Sequence, residues 1–238
     1  MRSFSLIISV LLVGIAVGWA QSGFQSDPLK TSSGDLQMTF IGHGTLMFQH
    51  ANVVVHVDPV SQYADYTALP KADIVLVTHE HGDHLDPKAI EAVKTPKTIV
   101  IGTAKCAARV PGMITMRNGD SRTVQGLRID AVPAYNVVAK QFHPLGDGNG
   151  YVITFADRRV YVAGDTENTP EMKALKNIDV AFLPMNLPYT MTPEMVADAA
   201  KAFLPKILYP YHYGNTDTSQ LTKLLSGTPV EVRIRNLR

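Results

Sequence analysis

Apolar residues along this chain fall into short runs, some alternating with polar positions and some unbroken, with Gly, Pro, Asn and Asp between them. That pattern predicts many short strands rather than long amphipathic helices. Strands are expected over Leu36 to Ile41, Leu46 to Gln49 and Asn52 to Asp58, the last β-branched at Val53-Val54-Val55 and closed by Asp58-Pro59. Ile74 to Thr78 is apolar almost without a break, the signature of a strand buried on both faces. Further strands are expected over Thr98 to Ile101, Gly126 to Val132, Tyr151 to Phe155, Arg159 to Ala163, Val180 to Pro184 and Ile207 to Tyr211.

Helices announce themselves by one repeated device, a capping residue followed by proline at the first helical position. Asp86-Pro87 opens a helix through Val93, Thr169-Pro170 one through about Lys176, and Thr192-Pro193 one through about Phe203. Ala104 to Arg109 reads as a further apolar helical patch, with Cys106 packed inside it. Strands dominate the first half and alternate with helices in the second, which implies a sheet-rich core with helices outside it. The glycine-rich Gly146 to Gly150 is read as a hairpin loop, since no lysine accompanies it as in a phosphate cradle.

The N-terminus changes the picture of where folding begins. An arginine, an apolar core from Leu6 to Val17 and small residues up to Ala20 predict a signal peptide over 1–20 cleaved after Ala20, an uncleaved anchor being the alternative. The destination is then periplasmic or secreted, with no stable membrane span left after cleavage. Gln21 to Gly34 is polar and aperiodic and is expected to be a flexible leader, so that one domain occupies 35–238. The single cysteine excludes an internal disulfide, and a net charge of +1 without any basic run gives no reason to expect nucleic acid as a partner.

Chemistry is concentrated in Thr78-His79-Glu80-His81-Gly82-Asp83-His84, directly after the buried strand Ile74 to Thr78. Imidazole nitrogen and carboxylate oxygen suit Zn²⁺, Mn²⁺ and iron, and so many of them in one loop would repel or desolvate one another without a cation. Other polar groups stand where predicted strands end: His43 in Gly42-His43-Gly44-Thr45, Asp165 in Gly164-Asp165-Thr166, and His212 in Tyr211-His212-Tyr213-Gly214. His50 and His56 read as ordinary structural histidines. Tyr135, Tyr189 and Tyr213 flank the motif loops as packing groups or as donors to an oxyanion.

Taken in this order, Gly42-His43-Gly44-Thr45, Asp58-Pro59, the His79 to His84 run, Ala163 to Thr166 and Tyr211 to Gly214 resemble the metallo-β-lactamase superfamily. The branch most similar includes ascorbate-phosphate lactonases and N-acyl-phosphatidylethanolamine phospholipase D. The resemblance implies an α+β fold, a four-layer αββα sandwich, with one or two metal ions, usually zinc and sometimes manganese or iron. It implies His79 and His81 on the first metal, Asp83, His84 and His212 on the second, and Asp165 bridging. Asp83 would also orient a metal-bound hydroxide, and His43 would border the site and touch a ligand or the substrate.

The sequence departs from the family pattern at one position. Where most members place another first-metal histidine, after the strand Leu127 to Val132, this chain reads Pro133-Ala134-Tyr135-Asn136, and the nearest imidazole is His143. Either His143 folds back as a ligand, or the first site is weak, oxygen-rich or empty. The expected function is a metal-dependent hydrolase in which metal-bound hydroxide attacks a small ester, lactone, amide or phosphodiester. The alternative is a non-catalytic metal-binding or sensing protein, and the oligomeric state is left open.

Overall fold

Side-chain alternation in the strands builds two sheets that face each other. The computed structural model describes residues 23–238, so the signal-peptide reading lies outside the described residues. The first sheet runs in the order β1 (Gln25–Thr31), β2 (Gly34–Gly42), β3 (Thr45–His50), β4 (Val53–Val57), β5 (Ile74–Leu76), β6 (Ile99–Gly102) and β7 (Ile114–Thr115). The second contains β8 (Ser121–Val124), β9 (Leu127–Ala134), β10 (Gly148–Phe155), β11 (Arg158–Val162), β12 (Val180–Pro184), β13 (Ile207–Tyr211) and β14 (Glu231–Val232), likewise side by side in chain order. In each sheet the first four strands are antiparallel and the remaining pairings parallel.

Alternate residues of each strand supply separate apolar clusters. Leu36, Met38 and Phe40 of β2 and Val180 and Phe182 of β12 meet in the central core, where the Phe40 and Phe182 rings lie 6.2 Å apart. Ala181, Leu183 and Leu208 point the other way, toward α3 (Pro170–Lys173), α4 (Pro193–Phe203) and α5 (Ser219–Leu224). Val75 and Val77 pack against α1 (Pro87–Val93) and α2 (Ala104–Ala107) on the outer face of the first sheet. Three apolar interfaces between four layers make the αββα sandwich expected from the sequence.

The helix starts form as the capping logic predicts. Asp86, Thr169 and Thr192 accept hydrogen bonds from the backbone N–H of Lys88, Met172 and Met195, each with proline next in the chain. The second of these helices ends at Lys173 instead of about Lys176. Cys106 is buried within α2, as packing.

Two expectations are corrected. Gln25–Thr31 is not a flexible leader: it is an edge strand in continuous register with β2, and Asp27 binds the Arg235 guanidinium at 2.6 Å and accepts from Tyr209 Oη at 2.5 Å. The folded part therefore begins before Asp35. Gly148 to Gly150 is not a hairpin loop but the first part of β10, paired with Ala134 to Val132. Glycine is required there because a Cβ on Gly150 would sit 2.7 Å from the Ala163 carbonyl oxygen. Among the described residues no helix is long and apolar enough to cross a membrane.

Candidate metal centre

The pairing pattern sends every candidate residue to the same end of its sheet. β2 and β4 run parallel to β5, so the turns after them, carrying His43 and Asp58, leave beside the loop that carries His79 to His84. In the second sheet β9, β11 and β13 share a direction, which brings together the 135–147 loop, Asp165 and His212. The two ends meet, and Asp165 lies in the middle. Its Oδ2 is 3.3 Å from His212 Nε2, 3.4 Å from His143 Nε2 and 3.9 Å from His79 Nε2, while Oδ1 is 3.4 Å from His84 Nε2.

Hydrogen bonds on the far side of the His84, His143 and His79 rings fix which nitrogen faces inward, while His212 Nδ1 has no such partner. His84 Nδ1–H donates to Asp58 Oδ2 at 2.7 Å, and Asp58 itself accepts from the Thr78 backbone N–H at 2.8 Å and the Thr78 hydroxyl at 2.7 Å. His143 Nδ1–H donates to the Tyr189 carbonyl at 3.1 Å, and His79 Nδ1 meets the Thr78 hydroxyl at 3.0 Å. The buried Nε2 atoms of His84, His143 and His212 and Oδ1 of Asp165 are left without any hydrogen-bond partner. Four buried polar atoms aimed at one another and unsatisfied are costly in a protein interior unless a cation is shared among them.

Their donor atoms sort into groups whose members all lie within 4.8 Å of one another: His79, His81 and His143; His43, Asp83, His84 and His212; and His79, His84 and Asp165. His43 Nε2 reaches Asp83 Oδ2 at 3.2 Å, and its ring centroid is 3.7 Å from that of His212. The donor set, nitrogen-rich with carboxylates between, fits one or two first-row divalent ions.

Electrostatics agree with that fit. Burial, reinforced by the neighbouring His84, drives His79 well below the usual imidazole range and keeps its lone pair free. For Asp165 burial opposes ionisation, but His212 and His84 outweigh it and hold the carboxyl well below its usual range. At His84 burial likewise opposes the charge, and Asp165 and Asp58, one on each nitrogen, push the ring well above its usual value. The negative charge that favours a proton on His84 would equally favour a cation in the same place.

Backbone strain collects here as well. His43, Asp58 and His212 all adopt left-handed conformations, with φ of 53, 46 and 48°. Such non-glycine residues cost about 1 kcal/mol or more each, and they persist where surrounding structure holds them. Gly44 makes room for the centre: a Cβ on it would lie 2.6 Å from His84 Cε1.

The structure brings His143 rather than Asn136 into the cluster. Asn136 instead folds the loop back, its amide donating to the carbonyls of Tyr189 at 2.8 Å and Ala139 at 3.2 Å, and its backbone N–H to the His143 carbonyl at 2.8 Å. Buried Glu167 grips the same loop by accepting from the backbone N–H of Val138 at 2.7 Å and Ala139 at 3.1 Å. Neither role carries a sequence signal beyond the polar residue itself. Tyr135 and Tyr213 are turned to other work, donating to Glu171 and to the Arg235 carbonyl, whereas Tyr189 lines the cavity. His50 and His56 are structural, beside Thr31 and the Pro70 carbonyl. A cavity of ≈ 300 Å³ opens over the cluster, and Phe142, Asn186 and Tyr189 complete its wall.

A four-layer αββα sandwich with a His/Asp cluster at one end of both sheets is the arrangement of the metallo-hydrolase folds. The family described as a beta-lactamase superfamily domain matches residues 37–212, and this chain belongs to it. More particularly, the chain is 32% identical over 200 residues to a UPF0173 metal-dependent hydrolase from Methanopyrus kandleri, spanning 75% of this chain and 84% of that one. A crystal structure of a proposed metal-dependent hydrolase from Parabacteroides distasonis is 52% identical, with a TM-score of 0.89 over 90% of this chain and 100% of that one. Igni18, a metallo hydrolase from Ignicoccus hospitalis, shares the fold at 23% identity, with a TM-score of 0.69 over 85% of this chain and 95% of that one.

Proposed function

We propose that this chain, a metal-dependent hydrolase of the β-lactamase superfamily, holds one or two Zn²⁺ ions, Mn²⁺ or iron being the substitutes, and cleaves a small-molecule ester, lactone, amide or phosphodiester. The observation that carries the proposal is the convergence of four buried, unpartnered donor atoms on His84, His143, His212 and Asp165 at the floor of an open cavity. His79, His81 and His143 would hold one ion, Asp83, His84 and His212 the other, and Asp165 both. A divalent ion in such a site lowers the pKa of coordinated water toward neutrality and polarises the bond under attack. Asp83, 42% exposed and within 3.2 Å of His43 and 3.4 Å of His212, is placed to orient the attacking water. Around it His43 shapes the cavity wall facing the substrate. A purely metal-storing role has no use for the ≈ 300 Å³ cavity above the ligands.

The test is elemental analysis of the purified protein beside His143→Ala and Asp165→Ala variants, with hydrolysis of ester, lactone and phosphodiester substrates. Two ions per chain, falling to one or fewer in either variant together with activity, is the expected outcome. One ion per chain that is unchanged in His143→Ala removes His143 from the ligand set and the two-ion reading with it. Export is proposed on the Leu6 to Val17 segment alone, and N-terminal sequencing of the exported protein is expected to begin at Gln21.

A further inference from the structure

Seven large apolar residues are exposed among the described residues: Val137, Val138, Leu145, Leu187, Tyr189, Leu204 and Ile234. Five of them, all but Leu204 and Ile234, fall in the two short loops that supply Phe142, His143 and Tyr189 to the cavity wall. Val138 is 81% exposed and Leu145 65%. The loops are joined rather than loose: the Phe142 and Tyr189 rings pack edge to face at 5.0 Å, and Asn136 and His143 both donate to the Tyr189 carbonyl. Exposed apolar side chains gathered on structured loops beside a cavity mark a surface that is covered when the cavity is used.

Charge narrows what covers it. Among the described residues no lysine or arginine lines either the cavity or the smaller recess beside it, whose walls instead contribute Asp83, Asp165, Glu80 and Asp147. Lys105, near the recess, is taken up by Glu80 at 3.1 Å and Asp147 at 2.6 Å. Lys140 is exposed in the first loop and is not part of the wall. Proteins that select phosphate or carboxylate groups surround them with guanidinium and ammonium donors, and here that provision is missing from the wall. The Asn186 side chain on it is neutral.

We infer that the substrate is an uncharged carboxylic ester or lactone bearing an apolar acyl chain, which lies across the lip formed by Val137, Val138, Phe142, Leu145, Leu187 and Tyr189. The inference rests on the hydrolase reading above. Water adds to the acyl carbonyl carbon, the bond to the alcohol oxygen breaks, and the proton from water goes to that oxygen, giving acid and alcohol with no further reactant.

The experiment compares p-nitrophenyl acetate, p-nitrophenyl octanoate and bis(p-nitrophenyl) phosphate on the metal-loaded protein. Calorimetric binding of two neutral, non-hydrolysable ketones, 2-butanone and 2-octanone, is measured alongside. Expected are a kcat/KM at least tenfold higher for octanoate than acetate, slower turnover of the phosphodiester than of either ester, and at least tenfold tighter binding of 2-octanone. A Val138→Asp/Leu145→Asp variant, altered only at exposed side chains, is expected to lower the octanoate-to-acetate ratio at least fivefold at unchanged metal content. Equal or falling kcat/KM with chain length, or faster phosphodiester turnover, overturns the inference and leaves the hydrolase reading standing. Absence of turnover on all three substrates overturns the inference even where 2-octanone binds tenfold tighter, and leaves the hydrolase reading to the metal analysis and the wider substrates named above; equal binding of the two ketones overturns the apolar lip.

Discussion

His56 offers a pH test of the packing that is separate from the metal centre. It alternates into the outer face of β4, fully buried, with Nε2–H donating to the Pro70 carbonyl at 3.0 Å and Nδ1 without a partner. Burial outweighs the stabilising carbonyl and brings its pKa from 6.5 down to about 4. The folded pKa lies below the unfolded one, so the unfolded chain takes up the proton first and stability is lost as pH falls from about 6.5 toward about 4. The full difference corresponds to roughly 3 kcal/mol, of which about 2 kcal/mol is lost between pH 7 and pH 5. His56→Gln keeps a donor for Pro70 and cannot titrate. Urea unfolding of both proteins at pH 7, 6 and 5 is expected to show the stability gap closing in the wild type's disfavour by about 2 kcal/mol, while the histidines of the metal centre, present in both, cancel. Parallel pH curves for the two proteins would show that His56 is protonated in the fold at an ordinary pKa, and the burial argument would fail.

Asp58→Asn places an amide donor against His84 Nδ1 or against Thr78 and disturbs the inward-facing Nε2; metal affinity measured by competition with a chromogenic chelator is expected to fall about 10- to 100-fold. Gly44→Ala sets a methyl 2.6 Å from His84 Cε1, and its thermal melt is expected to show a loss of about 1–3 kcal/mol together with weaker metal binding. An unchanged melt and affinity would mean that the His43–Thr45 turn yields without cost.

The strands that carry the central core were readable because alternation and burial coincide in them, as in Leu36, Met38 and Phe40. The helix starts were readable because a cap and a proline act locally. What stayed hidden was stabilised at long range. Gln25–Thr31 has no apolar alternation and includes Pro28, acceptable at a sheet edge, and its strand state comes from β2, Tyr209 and Arg235. Likewise Glu231–Val232 is two residues long and exists through pairing with β13. At the centre, the residue types announced the donors, but the place of His143 depended on how residues 135–147 close, which Asn136, Glu167 and Tyr189 decide from distant points of the chain.

Glu167 stands two residues beyond Asp165 and clasps the backbone of Val138 and Ala139. The loop that sets the shape of the cavity mouth is therefore moored to the same short stretch that supplies the central carboxylate. Grafting that loop from a relative to change what the protein accepts would require carrying its acidic mooring along; a graft without it would leave His143 adrift and weaken the metal centre before any new preference could appear.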